Sequence, residues 1–319
     1  MVSNPPPRPD RPGDVHRLFD RDLIRSRRAR MASRLPEADF LLEEASNGLA
    51  DRLAAVSRHF PLALDLGSHD GRLARAAAAS GKVGALVSSE SCLPLLDRLA
   101  GVRVAADEEA LPFADESLDL VLSGLSLQWV NDLPGALVQI RRALRPDGLF
   151  LGALLGGDSL KELRGVLVEA ESTVSGGISP RVAPFVEIRD AGALLQRAGF
   201  ALPVVDSDTL TVRYGNPLRL LDDLRLMGWS NALIERSRSP LRRDVLFRAM
   251  DLYAQRHADP DGRVRATFEV IYLSGWAPDP SQQKPLRPGS ARMRLADALG
   301  TSEHSTGESP SGSGAPRKD

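Results

Sequence analysis

The residues best suited to chemistry begin where an apolar run, PLALDL at 61–66, leads into Asp65-Leu66-Gly67-Ser68-His69-Asp70-Gly71 ahead of an alanine-rich stretch. A strand that turns on glycines into a helix lets the main chain approach a ligand closely, because glycine has no side chain and accepts positive φ. Asp65 at the strand end is then a carboxylate facing a ligand, or a cap for the helix that follows. Gly67, Ser68 and Gly71 are the candidate contacts within the turn. Asp107 and Glu108 stand before Leu111-Pro112-Phe113 and read as ligand contacts or as the polar residues of a turn.

Other constellations carry less. His257-Ala-Asp259 imitates two ligands of a facial-triad iron site, but it lies in a turn, HADPDG, and the only later histidine is His304 in a small polar tail. We expect no metal there. No Gly-x-Ser-x-Gly elbow and no GxxxxGK[ST] loop is present, which removes the usual hydrolase and phosphate-loop readings. Cys92 is the single cysteine, so neither an internal disulfide nor a multi-cysteine metal site is possible; at the head of a helix it reads as a buried packing residue.

These residues need a scaffold, and the chain supplies short apolar runs alternating with helices. Strands are expected at 61–66, 83–87, 102–106, 117–124 and 149–155, with helices at Gly71–Ala79, 93–99 and 133–144, the last stopped by RPDG at 145–148. Such alternation calls for a parallel sheet covered on both faces, with its ligand crevice at the carboxyl ends of the first strands. Beyond 155 we expect a helix at 188–200 and two strands, 209–214 and 267–276, forming an antiparallel pair with a helical insertion (216–258) that caps the crevice. Before the sheet, 15–60 reads as N-terminal helices. The first, 15–34, holds seven arginines against Asp20 and Asp22; it is a solvated helix packed on the domain, or a docking surface for an acidic partner or substrate. Residues 1–14 and 300–319 read as disordered tails, leaving 61–299 as the main domain.

Composition bounds the function. Hydrophobic residues make up 42% and charged residues 26% of 319 residues, ordinary for a globular chain. A net charge of −1 gives no support for nucleic-acid or anionic-membrane binding. No run approaches the roughly 20 apolar residues of a membrane span, and MVSNPPPRPDRPGD lacks an apolar targeting core. The expected location is cytoplasmic.

Three blocks, LDLGSHDGRLA (64–74), ADEEALPFADESLDLVLSGLSLQW (106–129) and LRPDGLF (144–150), resemble class I S-adenosylmethionine-dependent methyltransferases. That resemblance implies a Rossmann-like α/β fold, a mostly parallel seven-stranded sheet with helices on both faces. It implies that the first block wraps the methionine end of the cofactor and that Asp107, with Glu108, meets the adenine; Ser123, at the end of the fourth strand, joins the candidate set. A further set of blocks is similar to the methyltransferase-like assembly factors of respiratory complex I: GLSLQWVNDLPGAL (124–137), GALLGGDSLKELR (152–164), GGISPRVAPF (176–185), LMGWSNA (226–232) and GSARMRL (289–295). The resemblance implies modification of an arginine on a complex I iron–sulfur subunit, by hydroxylation in the mitochondrial members. A related branch methylates the malonyl group on acyl carrier protein in biotin synthesis, and loss of the cofactor in favour of a purely assembling role is a third reading.

Two departures bear on the cofactor. His69 stands where the family's turn has glycine, and Val87 stands where the second strand ends in an acid for the ribose hydroxyls, with Glu90 as a substitute reaching round. Both are expected to weaken S-adenosylmethionine binding. On the acceptor side, the loop after the fourth strand offers Gln128 and Trp129 as site residues. A guanidinium acceptor needs carboxylates, for which Asp132 and Asp158 are the candidates, each alternatively an N-cap.

Overall fold

Alternate residues of each central strand point to opposite faces, and here both sets are apolar, so the sheet must be covered twice. A computed structural model of the chain describes residues 17–283 together with Asp297, Gly300 and Thr301. The tail at 1–14, the block at 289–295, His304 and nearly all of 300–319 lie outside the described residues.

Helices α1 (Arg21–Met31) and α2 (Phe40–Ala55) precede the sheet. Strand β1 (Phe60–Leu66) leads through the glycine turn to α3 (Arg72–Ala79). Then come β2 (Val83–Ser89), the single turn α4 (Leu93–Leu96), β3 (Val102–Val104), β4 (Leu118–Gly124), α5 (Leu133–Ala143) and β5 (Leu144–Leu155). The remainder is α6 (Lys161–Ser175), α7 (Ile188–Arg197), β6 (Ala201–Tyr214), α8 (Pro217–Leu226), α9 (Arg243–His257) and β7 (Val264–Trp276). The sheet has the expected seven strands in the order β3-β2-β1-β4-β5-β7-β6. The first five are parallel, while β7 runs antiparallel to both β5 and β6.

One face packs Ala63, Leu120, Leu122 and Leu151 under α2, α3, α6, α8 and α9. The other packs Leu64, Val121, Phe150 and Ile271 against α5 and α7. Helix α5 starts cleanly: Asp132 accepts from the Gly135 N–H at 2.8 Å, Pro134 occupies the first turn, and Arg141 and Arg142 face the carbonyl end. The described residues up to Asp279 form one compact unit; of a second, 280–319, only a few residues are described. No helix among the described residues is long and apolar enough to cross a membrane.

Two departures from the sequence reading matter for the site. Strand β2 runs two residues past its apolar stretch, to Ser89, which pairs with Leu66 at the end of β1. Helix α1 packs on the domain with Asp22, Ser26 and Arg30 exposed, but its inner face carries charge as well as apolar residues: Arg28 is buried and the helix lies across the crevice end of the sheet. The stretch after α8 covers it: Arg27 donates to the carbonyls of Ser230 and Asn231 at 2.6 and 2.7 Å, and Gly228 abuts Arg28. Gly228 has φ +76°, and a Cβ there would stand 2.9 Å from Arg28 Cγ and 3.2 Å from its Cα. Gly228→Ala is therefore expected to cost about 1–3 kcal/mol and to push α1 outward. Urea unfolding measures the cost; an unchanged midpoint would show that α1 does not need this close seat.

Candidate functional site

At the carboxyl edge of β1 the turn takes positive φ at Gly67 (71°), His69 (50°) and Gly71 (75°). A side chain on Gly67 would collide with Ser126. His69 thus holds a backbone conformation that glycine adopts freely, and its ring explains how. Arg28, which can only donate, lies 2.7 Å from Nδ1, so Nδ1 accepts; Nε2 then carries the proton and donates to the Gly124 carbonyl at 2.9 Å. Burial and the Arg28 charge push its pKa down to about 4, so the ring is neutral at pH 7. The imidazole is a strut between the turn, β4 and α1.

Asp65 is fully buried, and neither carboxylate oxygen has a hydrogen-bond partner. Burial pushes its pKa up to about 7. It does not cap α3, whose N-cap is Gly71. A buried carboxylate left unpaired at a crevice floor awaits a cation or a donor. Ser68 and Ser123 serve the scaffold: their hydroxyls donate to the carbonyls of Asp65 at 2.9 Å and Leu66 at 3.0 Å.

Glu90 is the first residue beyond the true end of β2. Val87, expected to stand at that end, instead pairs mid-strand with Leu64 and Val102 and packs onto the α5–α7 layer. An aspartate at 87 would bury its charge in that layer rather than supply a ribose acceptor. Glu90 does not reach round; it sits at the position that the fold gives to the terminal acid. Its oxygens accept from Arg28 at 2.8 Å and from the N–H groups of His69 at 3.0 Å and Cys92 at 2.8 Å. Burial alone would raise its pKa, but Arg28 and these donors bring it below the ordinary carboxylate value.

At the other end of the crevice Glu108, also buried, accepts from Ser126 Oγ at 2.7 Å and pairs with Arg21. Asp107, partly exposed, pairs with Arg25 and with Arg21, each at 2.9 Å. Glu90, Asp107 and Glu108 are therefore joined through one helix, with Asp65 in the adjoining turn at the end of β1. What the sequence reading missed is the owner of the opposite charges. Arg21, Arg25 and Arg28 fall four and three residues apart, a spacing that places them on one helix face, and that spacing was the available signal.

Gln128 and Trp129 are buried on the turn after β4. Gln128 Oε1 and Trp129 Nε1 have no partner. Trp129 meets Phe19, Phe185 and Trp229 at ring-centre distances of 5.4–6.1 Å. It lines the crevice on one side and, on the other, a cavity of about 220 Å³ walled by Leu155, Leu163, Phe185, Leu224, Arg181 and Arg225 among others. Asp132 and Asp158 line neither space. Asp132 is the α5 cap, while Asp158 is exposed, pairs with Lys161 at 3.0 Å and caps nothing.

Asp259 accepts from Arg213 and Arg265, and His257 packs edge-on against Tyr253. Among the described residues no three His, Cys, Asp or Glu side chains gather as a metal set. Cys92 is buried, and burial raises its thiol pKa, which suits packing rather than reactivity.

A family model for a methyltransferase domain matches residues 64–152, from β1 into β5. Human "Arginine-hydroxylase NDUFAF5, mitochondrial" is 42% identical over 287 residues, covering 88% of this chain and 83% of that protein. The zebrafish (Danio rerio) protein of the same name is 40% identical over 88% of this chain and 89% of its own length. A malonyl-[acyl-carrier protein] O-methyltransferase of Halorhodospira halophila is 33% identical, covering 88% and 96%. Among solved structures, YcgJ of Bacillus subtilis superposes with a TM-score of 0.52 at 13% identity, over 73% of this chain and 99% of its own.

Proposed function

Because the chain belongs to the family of the NDUFAF5 arginine-hydroxylases, built around a methyltransferase domain, we propose that it binds S-adenosylmethionine in the β1–β4 crevice and modifies an arginine of a complex I iron–sulfur subunit during assembly. The observation that carries the cofactor half is Asp65. A fully buried carboxylate without a partner is costly, and the α-ammonium of the cofactor would satisfy it. Glu90 and the Asp107–Glu108 pair would hold the ribose and adenine, and Gly67 lets main chain come close. Bound there, the cofactor would supply an electrophilic sulfonium centre for methyl transfer, whereas hydroxylation would draw on dioxygen and a two-electron donor as co-reactants. Trp129 lines both that crevice and the larger cavity and so stands where cofactor and acceptor would meet.

Chemistry and space disagree, however. Sites for ligands of this size enclose about 300–1,000 Å³, whereas the free space beside Asp65 and beside Glu108 amounts to about 10 and 20 Å³. Helix α1 fills the space on the Glu108 side through Arg21, Ile24, Arg25 and Arg28, while Leu42 and Ser46 of α2 close over the Asp65 end.

The arginine reading is tested by mass spectrometry of complex I from a deletion strain. We expect one arginine-containing peptide of the iron–sulfur subunit to lose the mass of one oxygen, and plasmid-borne protein to restore it. An identical peptide mass in parent and deletion strains would overturn hydroxylation. One observation favours a second reading. The 220 Å³ cavity is lined by Arg181 and Arg225, which pair with Glu171 at 2.6 Å and Asp222 at 2.8 Å, and by no carboxylate; this suits an anionic acyl group better than a guanidinium. Under that reading, purified protein with S-adenosylmethionine would methylate malonyl-acyl carrier protein, and the subunit mass would be the same in both strains.

A further inference from the structure

Every acid along the outer wall of the crevice is already ion-paired, and the arginines that pair with Glu90, Asp107 and Glu108 come from one face of one helix. Arg28 holds Glu90 and His69, Arg25 holds Asp107, and Arg21 holds Asp107 and Glu108. From Arg21 to Arg28 is two helical turns, about 10 Å of axis, so α1 spans the crevice from one end to the other. Only Asp65, on the floor, is out of its reach.

The same helix is held down mainly by charge. Of its residues only Ile24 and Arg28 are buried. Leu23 and Ala29 pack on the core only half-buried, and its other anchors are polar: Arg27 on two carbonyls, and the preceding Asp20 on Arg236 at 3.0 Å. Segments with few buried apolar contacts open at free energies well below that of global unfolding. A helix that fills a ligand site, satisfies the ligand's own acceptors and is lightly seated competes with that ligand.

We propose that α1 is an arginine latch that excludes S-adenosylmethionine from the crevice, and that cofactor uptake requires the helix to swing away from Glu90, Asp107 and Glu108. This rests on the cofactor reading above. In the closed form the apparent affinity is lowered by the fraction of molecules that are open. The three guanidiniums thereby set how readily the protein loads.

The test uses the full chain. Hydrogen exchange followed by mass spectrometry, with and without saturating S-adenosylmethionine, reads α1 directly. We expect amides of Leu23–Met31 to exchange at least tenfold faster with the cofactor present. Calorimetric titration of Arg21→Gln/Arg25→Gln should show binding at least tenfold tighter than the parent. Arg25 is partly exposed but Arg21 is only 12% exposed, so a melting curve checks the fold; should the variant fail to fold, the exchange experiment on the parent decides alone. Slower α1 exchange on binding, or equal or weaker binding by the variant, overturns the latch and makes α1 a wall of the occupied site. No titration signal from either protein removes the cofactor reading, and the latch with it.

Discussion

Asp65→Asn should leave the cofactor-free protein more stable than its parent above pH 7 while weakening S-adenosylmethionine binding at least a hundredfold. The carboxyl titrates near 7 in the folded chain against 3.8 when unfolded. Between those values the folded state binds more protons, so its stability falls as pH rises, by about 4 kcal/mol over the whole window. His69, in the same turn, runs the other way. Its pKa drops from 6.5 to about 4 on folding, so the unfolded state takes up more protons and stability is lost as pH falls through that range, by about 3 kcal/mol. In the parent the two slopes nearly offset between pH 4 and 6.5. Removing Asp65 should unmask a stability that climbs with pH; His69→Gln should unmask one that declines up to pH 7. Urea midpoints measured against pH, variant minus parent, cancel all other groups. Difference profiles that are flat for both variants would refute the paired titration.

Arg28→Met alone should cost about 3–5 kcal/mol, because it leaves the Glu90 carboxylate buried with only two backbone donors. Glu90→Gln should also be strongly destabilising, since one amide oxygen replaces two carboxylate oxygens for the donors Arg28, His69 N–H and Cys92 N–H, and the buried guanidinium loses its counter-charge. The double substitution Arg28→Met/Glu90→Gln removes both charges, and we expect it to recover most of the loss, as replacing a whole buried pair generally does. A double-mutant cycle from urea unfolding gives the coupling. Strictly additive costs would mean that the two side chains do not depend on each other, contrary to their 2.8 Å contact.

Much of the sheet was legible in the sequence because its strands are buried on both faces and so are nearly continuous apolar runs, such as Leu118–Leu122 and Leu149–Leu155. The same signal failed at the crevice edge. Strand β2 ends in Ser88 and Ser89, and polar residues close a strand where it meets a ligand site. The Ser89 carbonyl accepts from both Gly67 and Ser68 at 2.9 Å, a nonlocal reason for the strand to continue. Thus Val87 read as an altered terminus and Glu90 as a distant substitute. The acids at 65, 107 and 108 were legible by their place after strands. The role of α1 was not, because its charge pattern names no partner, and Glu90 and Glu108 lie 62 and 87 residues away along the chain.

Helix α1 is the first of these elements to leave the ribosome and among the last that can dock. Asp20 donates to Ala232 and pairs with Arg236, 216 residues downstream. At roughly 5–20 residues per second, the basic segment is therefore synthesised about 10–40 s before its seat exists. Through that interval the nascent sheet can form with its crevice uncovered, so translation itself provides a period in which a small molecule can enter before the helix closes.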